Sequence, residues 1–242
     1  MKKWRMALLL STLLFSSCDE LFDEENGFLS NGTIVKGLKE MLVLGTHSAS
    51  GQLSMADGYF ADEAVKIMLP PEADIIVDNI SLVPGGNLLI EQILLGINRS
   101  AEDAAREAAP IFINAITDMS IVDGLTILNG DNDAATTYLR NSTYTELFGL
   151  YQPKLQASLD KKLIGNVSTN SLWATLVGQF NSVANTLVGQ MAGLQPVNTQ
   201  LDGYLTDKAL DGLFLKIAEE EIQIRTNPAA RGTDLLNTVF GQ

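Results

Sequence analysis

The sequence predicts an all-α fold, an irregular multi-helix bundle of about eight to ten helices. Three observations lead there. Apolar residues recur at three- and four-residue spacing along most of the chain, as in Ile34, Leu38, Met41 and Leu42. No convincing series of alternating strand segments and no fixed-period repeat interrupts that pattern. The apolar residues, 46% of the chain, are mostly Leu, Ile, Val and Ala, and aromatics are only 7%; this mixture favours helix packing over a β-sandwich.

The elements follow in chain order. A helix is expected from Thr33, with the small-residue stretch "GTHSASG" around His47 near its end. "DGYFADEAVKIMLPPEAD" breaks the period with Gly58 and Pro70-Pro71 and reads as a long connection. "PEADIIVDNISLV" looks like a short helix stopped by Pro84-Gly85-Gly86. Leu88 to Ile97 begin the next helix. Ser100, with Asp103 three residues on, is positioned to cap a separate segment that Pro110 would kink or break. "SIVDGLTILNG" is a compact helical unit with Ser120 as cap and Asn129-Gly130 as stop. Amphipathic segments follow near 134–163, 170–193 and 206–226, the last with Thr206 as N-cap. A short terminal helix begins at Thr233 or Asp234.

The first 17 residues have another character. Lys2, Lys3 and Arg5 precede the apolar run Met6 to Phe15, and Ser16 and Ser17 precede Cys18, the only cysteine. This is the layout of a secretory signal, and the run is far shorter than the roughly 20 residues that a membrane-spanning helix needs. A cysteine behind small residues at the end of such a signal resembles a bacterial lipobox, with Phe15 where leucine is usual. The resemblance implies that Cys18 is diacylated and becomes the new N-terminus. Cys18 is thus the expected lipid attachment point, and the membrane the expected partner through it. Residues 1–17 are assigned as signal peptide, 18–32 as an acidic flexible tether and 33–242 as one helical domain. Acids directly after the cysteine resemble lipoprotein sorting signals, either for inner-membrane retention or for export to the cell surface.

Charge narrows the function. The chain carries 16 basic and 29 acidic residues, a net of −13; without Lys2, Lys3 and Arg5 the 13 remaining basic residues leave −16. Such a surface repels phosphate backbones, so nucleic acid is not expected as a partner. No cofactor motif occurs: there is no P-loop and no G-x-G-x-x-G. No metal site is expected either. His47 is the only histidine, and "NGDNDAATTYL" fails as a calcium loop in both registers, placing Ala134 or Thr136 at the required glycine and Arg140 or Ser142 at the required glutamate. Asp131 or Asp133 should instead cap the following helix. No G-x-S-x-G elbow accompanies His47. The sequons at Asn31, Asn98, Asn141 and Asn166 are incidental under a bacterial lipobox.

"ALDGLFLKIAEEEIQIR" supplies the acidic candidates. Leu210, Leu213, Phe214 and Ile217 form one apolar face. Glu220 and Glu221 are a pair that could do general acid–base work, with at least one of them reaching water, and Glu221 should pair with Arg225 four residues on. On a helix, such a run usually forms a solvated face.

"GLKEML", "DGYFADEAVKIMLPPE", "NRSAEDAAREAAPIF", "ILNGDNDAATTYLR" and "KALDGLFLKIAEEEIQIRTNPAARGTDLLNTVFG" together resemble a bacterial domain of unknown function, family number 4197, from about Gly37 to the C-terminus. The resemblance implies a helical, secreted or lipidated protein and carries no activity or site residues. The expected function is a membrane-anchored envelope lipoprotein with a non-enzymatic binding or scaffold domain for an envelope protein or a small hydrophobic ligand. The alternatives are a carrier of a hydrophobic or lipid ligand and a hydrolase using Glu220 and Glu221.

Overall fold

The structure is a computed structural model that describes residues 29–241. Cys18, the signal and most of the tether lie outside the described residues. Among those described, ten α-helices and no sheet are present: α1 (Asn31–Leu53), α2 (Asp74–Asp78), α3 (Gly86–Ala105), α4 (Ala108–Asp118), α5 (Gly124–Leu128), α6 (Ala134–Leu159), α7 (Thr169–Ala184), α8 (Leu187–Met191), α9 (Leu201–Thr226) and α10 (Asp234–Phe240). The all-α expectation and the helix count hold. No helix among the described residues is long and apolar enough to cross a membrane.

The long helix α9 is the centre of the fold, packed between α1 and α6. Its stripe Leu205, Ala209, Leu210, Leu213, Phe214 and Ile217 is buried, as the 3.6-residue period requires. α3 lies against α6 and α7, and α4 against α1. The core extends to Leu29, and the hydroxyl of Ser30 caps α1 by accepting from the Thr33 amide, so packed structure begins before Thr33.

Several boundaries differ from the sequence reading. Ser100 does not cap a helix; it lies inside α3 and donates to the Gly96 carbonyl at 2.8 Å. Thr206 lies inside α9 and donates to the Asp202 carbonyl at 2.7 Å, while α9 starts at Leu201. A buried Ser or Thr satisfies its hydroxyl equally well by bonding back four residues or by capping, so residue type alone does not mark a start. Pro110 stands in the first turn of α4, where its missing N–H costs nothing, and the chain breaks at Arg106-Glu107 instead. Asp123, not Ser120, caps α5. His47 is not at a helix end; α1 runs on to Leu53 and the imidazole faces outward.

The irregular residues 54–70 are tied down by α3. Asn98 bonds both backbone groups of Ile67, accepting from its N–H at 2.9 Å and donating to its carbonyl at 2.8 Å. The buried Glu102 carboxylate accepts from the amides of Tyr59 and Phe60, each at 3.2 Å, and is paired with Arg99 at 2.6 Å. A buried loop needs such partners because its backbone has no ladder of its own. Tyr59 then inserts into the core, its hydroxyl donating to the Ala209 carbonyl at 2.8 Å. Burial, and the proximity of Tyr151 and Glu102, hold its pKa well above the ordinary value.

Gly212 permits this insertion: a Cβ there would stand 2.7 Å from Cε1 of the Tyr59 ring. Gly212→Ala should therefore destabilise the protein by about 1–3 kcal/mol through overpacking, despite alanine's better helix propensity. Urea denaturation checks this; an unchanged or raised midpoint would show that the ring yields.

Candidate functional site

The acidic stretch of α9 does not form a solvated pair. Glu221 is buried, with 1% of its surface exposed. Its carboxylate accepts from the backbone N–H of Ala135 at 2.9 Å, and from the N–H and hydroxyl of Thr136 at 2.7 and 2.6 Å. These are the first turn of α6, whose N–H groups have no partner within the helix and whose dipole favours negative charge. Asp133 occupies the N-cap position but makes no side-chain cap bond, so the capping role expected of Asp131 or Asp133 belongs to Glu221.

Arg225 completes the arrangement. Its guanidinium pairs with Glu221 at 2.8 Å, as their spacing requires, and donates to the carbonyls of Leu128 at 2.7 Å and Ile127 at 3.1 Å. Those carbonyls end α5. One acid and one base of α9 thus neutralise both helix ends that flank the loop 129–133, the acid at a helix start and the base at a helix finish. Arg225 is nearly enclosed as well, with 8% of its side chain exposed, and lies 5.4 Å from the Phe240 ring centroid. Neither residue is a surface candidate. Glu220 is half-buried and accepts from Ser48 and, at 3.2 Å, from Gln52. The two carboxylates therefore serve separate contacts, and the structure does not bring them together on one cleft.

A cleft of about 500 Å³ opens where residues 64–67, the first turns of α6 and the middle of α9 meet. Val65, Ile67, Leu215 and Ala218 give it an apolar floor; Lys66, Arg140 and Lys208 reach it from three separate segments, with Asp133 and Asp211 as the acids lining it. Arg140 is ion-paired with Asp211 and stacks on aromatic rings, 5.3 Å from the Tyr144 centroid and 5.2 Å from that of Phe214. Lys208 is 3.2 Å from Asp211 and 3.4 Å from Asp207, and the hydrogen bond to Asp211 raises its pKa. Lys66 is 3.3 Å from Glu63 and sits over the Phe60 ring. Tyr144 donates to Asp207, and burial together with that carboxylate raises its pKa. The aromatic platform fixes the Arg140 fork.

The sequence reading placed Asp133 as a cap and Phe214 in the core, but nothing in it grouped Lys66, Arg140 and Lys208, which only the tertiary fold joins. No group of three or more His, Cys, Asp or Glu that could hold a metal occurs among the described residues.

A family model described as Protein of unknown function (DUF4197) matches residues 28–241. The chain belongs to this family. The match spans every helix described above, so the DUF4197 domain includes α1 through α10, both helix-end contacts of α9 and the cleft. No curated protein and no solved structure shows significant similarity to the chain.

Proposed function

We propose that the protein is a cell-envelope lipoprotein, anchored through Cys18, whose helical domain binds a small amphipathic molecule bearing an acidic group. The observation that carries the binding reading is the convergence of Lys66, Arg140 and Lys208 on one cleft, in a chain whose net charge is −13. Arg140 bonds Asp211 through Nη2, and the Nη1 and Nε side of its planar fork is suited to a carboxylate or phosphate, while the floor accepts an apolar body. A non-enzymatic role fits best, because the buried acid of α9 already has four polar contacts and the cleft acid Asp211 is held by two cations. An open cleft of this size suits a small molecule better than a whole lipid.

The two parts are tested separately. Cys18→Ser should abolish incorporation of labelled palmitate and release the protein from the membrane fraction or stall its processing; undiminished labelling would refute the anchor. For the cleft, thermal unfolding is followed with a panel of small carboxylates, phosphates and matched amines, each carrying an apolar group. Acidic members should raise Tm, by about 2.7 kcal/mol of added stability at a hundredfold excess over Kd. The Arg140→Gln/Lys208→Gln double variant should lose the rise. Stabilisation by amines alone, or a rise that survives the double variant, would refute the reading.

A further inference from the structure

Residues 163–201 contain no Asp, Glu, Lys or Arg, 39 consecutive uncharged positions by number in a chain that is 19% charged. In the fold α7 packs against α3, α8 turns the chain, and residues 192–200 run back along α7. The return is fixed by Asn181, which bonds both backbone groups of Val197, and by Trp173, whose indole N–H donates to the Thr199 carbonyl at 2.8 Å. Leu176, Phe180, Leu194 and Val197 fill the inside. α8 is therefore the tip of a supported hairpin. It is well seated: the Thr186 hydroxyl caps it, and Gly189 packs so closely that a Cβ would lie 2.3 Å from the Val183 carbonyl.

From this rigid turn Leu187, Val188 and Met191 project with 74%, 77% and 81% of their surface exposed. Isolated exposed apolar residues are ordinary, but three on one turn, at the end of a charge-free hairpin, are not. Their size selects the occupant. Together they present on the order of 400 Å², about half of the roughly 800 Å² per partner that a stable protein interface buries. A bilayer needs no complementary surface and no rim of paired polar groups. It also tolerates this tip better than the rest of the molecule, whose acids anionic headgroups repel.

We infer that the α8 tip inserts Leu187, Val188 and Met191 into the interfacial region of a lipid bilayer. The contact is shallow and apolar, and without basic residues in 163–201 it gains nothing from anionic lipid. It sets how the domain meets the membrane, and it stands whether or not Cys18 is acylated.

The test uses the full chain carrying Cys18→Ser, so that Val188→Cys leaves one thiol for an environment-sensitive fluorophore. With phosphatidylcholine vesicles, the label at 188 should shift to the blue and be quenched several-fold by nitroxide on the acyl chains, equally at low and high salt. The same label on Asp131→Cys, in the exposed loop before α6, should remain in water. Leu187→Asn with Met191→Asn should abolish the response at 188. The inference is overturned if the label at 188 stays in water in the presence of vesicles. A shift that grows with protein concentration in the absence of lipid would also overturn it, in favour of a second copy of the chain. Neither result bears on the acylation of Cys18, which this background removes.

Discussion

Glu221→Ala is expected to destabilise the domain by about 3–5 kcal/mol, the range for removing one partner of a buried ion pair. The loss has three parts. The amides of Ala135 and Thr136 become buried donors without an acceptor, the start of α6 loses its compensating negative charge, and Arg225 is left enclosed and unpaired. Glu221→Gln should recover only part of the loss, since one amide oxygen cannot replace two carboxylate oxygens that accept from three donors and a guanidinium. Chemical denaturation of both variants, with Arg225→Ala and the double variant, measures the coupling. The double variant should lose clearly less than the sum of the singles, because Glu221 and Arg225 share one network. A near-neutral or stabilising Glu221→Ala would be the signature of a functional acid held at a structural cost, and would restore the paired-carboxylate reading.

Phe214→Ala is expected to cost a comparable amount, about 3–5 kcal/mol. Its ring is buried on α9 and joins three helices: the centroid lies 5.3 Å from that of Phe112 on α4 and 6.2 Å from that of Tyr144 on α6. Truncation leaves a cavity that none of these long helices can close without moving. It also removes part of the platform beneath Arg140, so ligand binding should weaken even where the variant remains folded. Leu215→Ala is the control, since that side chain is exposed next to Phe214 and should cost well under 1 kcal/mol. Equal losses at 214 and 215 would contradict the assignment of faces on α9.

The fold was legible in the sequence because the information is local. Leu213, Phe214 and Ile217 lie in the core where the period places them, and Asn227-Pro228 ends α9 as proline chemistry demands. The ends of helices were less legible, because Ser100 and Thr206 can bond back into their own helix as readily as they can start one. The site was hardly legible at all. Glu221 serves amides 85 and 86 positions earlier in the chain, and Asn98 and Glu102 secure a connection about 31 to 43 positions away. In the sequence Glu221 is one acid in a run of three, of which Glu219 is exposed on the same helix. The one local clue was the Glu221–Arg225 spacing, which forecast the pair but not its burial.

The central claim is that the cleft between α6, α9 and residues 64–67 holds a small acidic ligand through Arg140 and Lys208. Native mass spectrometry of the full-length protein, purified gently from the cells that make it, tests it most directly. The account predicts a bound small molecule that is released on denaturation, detected in negative-ion mode, and missing from a folded Arg140→Gln/Lys208→Gln variant. Protein that carries no such adduct, or an adduct retained in full by the double variant, would contradict it.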